Sequence, residues 1–254
     1  QEGSGTEMNI IIPIAGANKP SAETEYIKSL QEIERKTVLQ YVFESLQALK
    51  TDHFIVVIKR EDASKYHLDH IVRLLRSGVE VVIAEGETMG AACTCMLAVD
   101  KLDMGEPLLI TGSDQILLEP AERIVEDFQY HDYDGGVAIF DDVHPRWSYV
   151  KLDDQNYVLE AAEKRPISRN AVAGFYYFKK ARYFFDAAQK MILKNASVNG
   201  NFFICPVYNE MILRQQTIGT YRIDKSQYYS FSHQSGMEAY RAYLAVQRNG
   251  GRKE

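Results

Sequence analysis

Residues 8–14, Met-Asn-Ile-Ile-Ile-Pro-Ile, are almost continuously apolar and run into Ala15-Gly16. A short apolar run without polar alternation predicts a strand buried on both faces of a parallel sheet. Further on, Val38, Val42, Leu46 and Leu49 recur at helical spacing and predict a helix over 38–49. The alternation then repeats, with strands at 54–58, 79–84, 107–111 and 136–140 and helices at 63–76, 90–99 and 120–130 between them. Elements that take turns in this way predict an α/β fold of Rossmann-like type, a mixed, mostly parallel sheet with helices on both faces.

Beyond residue 141 the pattern becomes strand-rich, with alternating segments at 148–152, 157–162 and 171–178. Helices are predicted at 181–194 and 206–214, a strand at 217–223 and a last amphipathic helix at 237–248. No repeat, low-complexity stretch or Pro/Gly/Ser linker interrupts the chain, so residues 8–254 are expected to form one domain. Residues 1–7 are polar and stand just before a Met; they are read as a non-native leader, with the natural start at Met8.

Composition narrows the function classes. A hydrophobic fraction of 46% with 25% charged residues is that of a folded globular chain. No apolar run nears the ~20 residues of a membrane helix, and the start has neither the basic nor the apolar region of a secretory signal. A cytoplasmic protein without membrane insertion is therefore expected. The net charge of -6 argues against a nucleic-acid partner, which needs clustered Lys and Arg. Any phosphate site must be local.

The three cysteines, Cys93, Cys95 and Cys205, lack zinc-knuckle spacing and are read as buried free thiols. His67 and His70 stand three apart on a predicted helix with no third ligand, too few for a zinc site. The Asn195-Ala196-Ser197 sequon carries no weight in a chain expected to stay in the cytoplasm.

In doubly wound sheets ligands sit beyond the carboxyl ends of the strands, which directs attention to the loops after residues 14, 84 and 111. Asp114 follows the strand at 107–111 within Thr-Gly-Ser-Asp-Gln, a good place for a Mg²⁺ ligand. The same Asp would serve equally as a cap or Asx-turn. The loop at 16–30 lacks both the G-x-x-x-x-G-K-[ST] and the G-x-G-x-x-G fingerprints, but Lys19 and Lys28 in it offer point charges for a triphosphate. Residues 85–92, Glu-Gly-Glu-Thr-Met-Gly-Ala-Ala, let a base or phosphate approach the backbone closely, with Thr88 and Gly90 at the helix start. Glu163-Lys164-Arg165-Pro166 places a Lys for a phosphate beside a Glu for sugar hydroxyls, or forms an ordinary charged turn.

Taken together, these segments resemble the sugar-phosphate nucleotidyltransferases, a family with a glycosyltransferase-A-like sheet, over residues 8–240. Ile-Pro-Ile-Ala-Gly at 12–16 and Tyr-Ile-Lys-Ser-Leu at 26–30 resemble the family's first strand and its Pro-Lys-Pro-Leu segment. The likeness implies substrate contacts at Ala15 and Gly16 and a catalytic, phosphate-contacting Lys28. Gly-Ser-Asp-Gln at 112–115 is similar to the family's Gly-Asp, implying Mg²⁺ on Asp114 with Ser113 and Gln115 beside it. Glu163-Lys164-Arg165-Pro166 resembles its Glu-Lys-Pro, implying Glu163 on the sugar and Lys164 on the acceptor phosphate. Gly174-Phe175-Tyr176 and the segment holding Tyr208 and Asn209 look like its sugar pocket. His144-Pro145-Arg146-Trp147-Ser148-Tyr149 resembles a capsule and surface-polysaccharide branch, implying substrate contacts at Trp147 and Ser148. Two departures stand out: the first loop lacks the family's Gly-x-Arg, and the late Asp of the metal site aligns with Ser232.

The resemblance implies attack of an acceptor phosphate oxygen on the α-phosphorus of a nucleoside triphosphate, with pyrophosphate leaving. The implied partners are that nucleotide, whether CTP, UTP or dTTP, and a phosphorylated acceptor, a sugar 1-phosphate before other phosphorylated small molecules. A homodimer is the expected assembly. Two other readings keep the fold. A glycosyltransferase that consumes a nucleotide sugar would want Asp-x-Asp where the chain has Ser113-Asp114-Gln115, and a nucleotide-binding regulator would have no turnover.

Overall fold

The structure, a computed structural model, describes residues 7–15 and 27–250. In chain order the elements are β1 (Asn9–Pro13), β2 (Glu32–Ile33), β3 (Lys36–Thr37), α1 (Val38–Ser45), β4 (His53–Lys59), α2 (Arg60–Tyr66), α3 (Leu68–Leu75), β5 (Glu80–Ala84), α4 (Ala91–Met96), β6 (Leu108–Thr111) and β7 (Gln115–Leu117). The second half runs α5 (Ala121–Tyr130), β8 (Gly135–Asp141), β9 (Ser148–Leu152), β10 (Val158–Glu163), β11 (Asn170–Phe178), α6 (Ala181–Leu193), α7 (Val207–Ile212), β12 (Ile218–Arg222), β13 (Tyr228–Ser230) and α8 (Gln234–Gly250).

Strand β1 lies parallel between β4 and β6, and β5 extends the parallel set beyond β4. This half is the repeated strand-helix unit that the apolar runs predict. Strand β11 then runs antiparallel to β6 and joins the second half. On its other edge stands β8, followed by the parallel β12. The first half of β11 leaves β6 behind and meets the β9–β10 hairpin instead, through Ala171 opposite Tyr149. Its pairing with β8 changes register between Val172 and Tyr176. The sheet therefore parts beside Gly174.

Both faces are covered, as expected. Ile11, Ile55 and Val57 pack under α4, α6 and α7, while Ile10, Ile12, Val56 and Ile58 face α1, α3 and α5. Strand β1 alternates its isoleucines between these two cores, each worth about 1.5–3 kcal/mol of burial. That is why its sequence is continuously apolar. A smaller cluster of Ile33, Val38, Ile116, Phe231, Met237 and Tyr240 seats α8.

Three details differ from the pattern reading. The helix expected at 63–76 is two helices, broken where His67 takes the left-handed conformation (φ 53°, ψ 36°). The ribbons β2–β3 and β7–β13 were not anticipated, since two- and three-residue strands leave no periodicity to detect. Helix α8 begins at Gln234 rather than 237. All three cysteines are free, with Cys95 and Cys205 buried. Among the described residues no cluster of three His, Cys, Asp or Glu could hold a metal, and no helix is long and apolar enough to cross a membrane.

Candidate active site

Strand β6 delivers a turn, Gly112 to Asp114, beside the carboxyl end of β1. Three distant segments meet there. The main-chain oxygen of Asp114 accepts from Phe231 N at 2.7 Å, tying the turn to the end of β13. Lys28, in the 3-10 turn Lys28–Leu30, donates to the carbonyl of Ser232 at 3.1 Å. Burial pushes the Asp114 carboxyl up from its ordinary range, and the nearby Lys28 charge pulls it back. Asp114, Lys28 and Ser232, each half-buried, thus share one corner. Ser113, beside them, is buried. An incoming cation would relieve a carboxylate held in this way.

Gln115 fills the parting of the sheet. Its amide donates to Gly174 O at 2.6 Å and accepts from Gly174 N at 3.0 Å, as a neighbouring strand would. The same oxygen accepts from the Tyr228 hydroxyl at 2.9 Å. A Cβ on Gly174 would lie 2.7 Å from that oxygen, so glycine is what lets the amide approach. Asn209 repeats the device on β10, accepting from Ala161 N and donating to Ala161 O, both at 2.8 Å. Tyr208 is fully buried, and its hydroxyl donates to Gly136 O and Tyr177 O. Tyr208 and Asn209 accordingly spend their polar atoms on main chain, and Gln115 spends its own on Gly174 and the Tyr228 hydroxyl.

Glu163 ends β10. Burial raises its carboxyl above the usual carboxylate range, opposed by a hydrogen bond from Ser148 and the Lys164 charge. Lys164 follows in the left-handed region (φ 52°), exposed, with its ammonium 5.0 Å from the centre of the Phe203 ring. A hollow of about 480 Å³ opens here, lined by Glu163, Lys164, Pro206, Asn209 and the loop at 196–199. Trp147 does not join it. Successive residues of a strand face opposite ways, so Ser148 turns to Glu163 while Trp147 packs on Phe140 and Tyr228 at ring separations of 5.4 and 5.6 Å.

At the start of α4, Thr94 donates to Ala15 O at 3.3 Å and lies 2.6 Å from the Thr88 hydroxyl, pinning the 88–94 segment to the end of β1. Gly90 (φ 101°) lies against Phe202, whose carbonyl oxygen a Cβ would meet at 2.5 Å. Thr94 and Phe202 carry no sequence signal of their own; only the fold brings them here. Gly16 and Lys19 lie outside the described residues.

A model of the nucleotidyl transferase family matches residues 23–218. The low-salt glycan biosynthesis nucleotidyltransferase Agl11 of Haloferax volcanii is 28% identical over 172 residues, which span 65% of this chain and 46% of that protein. The chain thus matches about half the length of that relative. Among solved structures, a nucleoside-diphosphate-sugar pyrophosphorylase from Vibrio cholerae RC9 superposes with TM-score 0.74 at 18% identity, over 92% of this chain and 99% of its own. The inositol-1-phosphate CTP transferase from T. maritima gives 0.71 at 14%, over 92% and 95%. At such identities the superpositions speak for the fold. The family match spans well over half of the sequence, and by it the chain belongs to the nucleotidyl transferase family, the sugar-phosphate nucleotidyltransferases that its motifs resemble.

Proposed function

We propose that this chain transfers a nucleotidyl group from a nucleoside triphosphate to a phosphorylated acceptor, a sugar 1-phosphate first among them, and releases pyrophosphate. The observation that carries this reading is the convergence of Lys28, Asp114 and Ser232 in one half-buried corner at the strand ends. An acceptor phosphate oxygen attacks the α-phosphorus, the bond from that phosphorus to the bridging oxygen of the β-phosphate breaks, and pyrophosphate departs with both electrons. No covalent enzyme intermediate is needed, so catalysis is positioning and charge neutralisation.

Lys28 neutralises the departing phosphates, and Lys164 holds the acceptor phosphate while Glu163, oriented by Ser148, accepts from sugar hydroxyls. Ala15, Thr88, Gly90, Ser113 and Gly174 form the backbone floor on which the substrates lie. The donor set suits Mg²⁺, which is commonly held by one or two carboxylates with substrate phosphates completing the shell. Asp114 would hold it, with Ser232 where a second carboxylate would stand; when bound, the ion neutralises phosphate charge. Ser113-Asp114-Gln115 offers no Asp-x-Asp pair, which favours nucleotidyl transfer over use of a nucleotide sugar. A cytoplasmic homodimer supplying surface-polysaccharide synthesis completes the proposal.

The test is pyrophosphate release with Mg²⁺ over a panel of nucleoside triphosphates and sugar 1-phosphates. Asp114→Ala is expected to lose roughly a hundredfold or more in rate, the scale on which one transition-state charge contact acts. Undiminished release in that variant, or nucleotide binding without release from any pair, would sink the proposal.

A further inference from the structure

We propose that a second cleft, on the face of the sheet opposite Glu163, binds a small organic phosphate ester. The inference stands apart from the catalytic reading. The cleft, about 450 Å³, has Phe140, Trp147 and Tyr228 as its floor and Arg146, Lys225 and His233 around it. Tyr228, whose hydroxyl donates to Gln115, separates it from Asp114 and Gly174.

Charge selects the occupant. Asp142 is the acid that meets Trp147 and Lys225 of this cleft, and its oxygens are already taken by Val143 N, His144 N, Trp147 Nε1 and Lys225 Nζ at 2.6 to 3.0 Å. That carboxylate offsets Lys225 and fixes the indole. Arg146 is left uncompensated. Its guanidinium lies over the Trp147 ring, 4.5 Å from the centroid, and among the described residues its side chain meets no acceptor. A guanidinium with an aromatic ring under one face and free N–H donors is suited to a phosphate, which it grips through two oxygens. The aromatic floor and a volume in the range of ligand pockets favour an ester over the bare ion, because only an organic group would cover the rings.

The chain holds a single tryptophan, Trp147, so its emission reports on this cleft directly. Glucose 1-phosphate titrated at constant ionic strength is expected to give a saturable change in emission. Inorganic phosphate should bind at least tenfold more weakly. Arg146→Gln should weaken the ester at least tenfold, with Lys225→Gln, read in the same way and checked for folding by circular dichroism, as the second variant. Lys164→Ala, which disables the catalytic cleft, should leave the titration unchanged. The proposal is overturned by the absence of saturation, by equal binding of inorganic phosphate, by an equal response to chloride, by indifference to both cleft variants, or by loss of the signal in Lys164→Ala.

Discussion

Burial disfavours the charged form of Glu163, against the Ser148 hydrogen bond and the Lys164 charge. With burial raising its carboxyl above the ordinary value of 4.5, its contribution to stability is fully present below that value and is lost as pH rises through the folded value. Glu163→Gln mimics the protonated side chain at every pH. It should raise the melting temperature at pH 8 and change it little at pH 4, while raising KM for the acceptor; equal shifts at the two pH values would show that burial is not the cause. Lys164, next to it, adopts a left-handed backbone that non-glycine residues enter only at a cost, a form of strain that gathers at functional sites. The family resemblance pointed to Lys28, Asp114 and Ser232, and the fold brings these three together. Resemblance was not enough for Gln115, Tyr208 or Asn209: an amide or phenol has the same donors and acceptors whether it meets substrate or main chain, and only the packed fold decides.

At the scale of elements, apolar runs and helical spacing located the strands and helices of the large sheet to within a few residues. They failed where a single backbone conformation decides, as at His67, where apolar spacing continues across the break between α2 and α3. Helix α7 is short, and much of its placement rests on Asn209 gripping β10 through Ala161. Asn209→Ala removes two hydrogen bonds and strands a main-chain donor and acceptor, for an expected loss of about 2–4 kcal/mol in urea denaturation. A loss below about 0.5 kcal/mol would mean that hydrophobic contacts alone hold the helix.

Across the whole molecule, the half built on β1 and the half built on the β9–β10 hairpin meet in β11, which changes partners midway. The alternating pattern predicted the first half and the strand-rich pattern the second, but nothing in the sequence announces that one strand serves both. Side-chain amides complete the hydrogen bonding where the sheet parts at β11 and along the outer edge of β10, and this has a signature in heavy water. The amide hydrogens of Gly174 and Ala161 are held by Gln115 and Asn209, so they should exchange as slowly as the ladder of β6 and β11, on the clock of global opening and not of local fraying. Gln115→Ala should quicken exchange at Gly174 at least tenfold and leave Ala161 slow, so that one side chain sets the deuteration time of a peptide group 59 residues away.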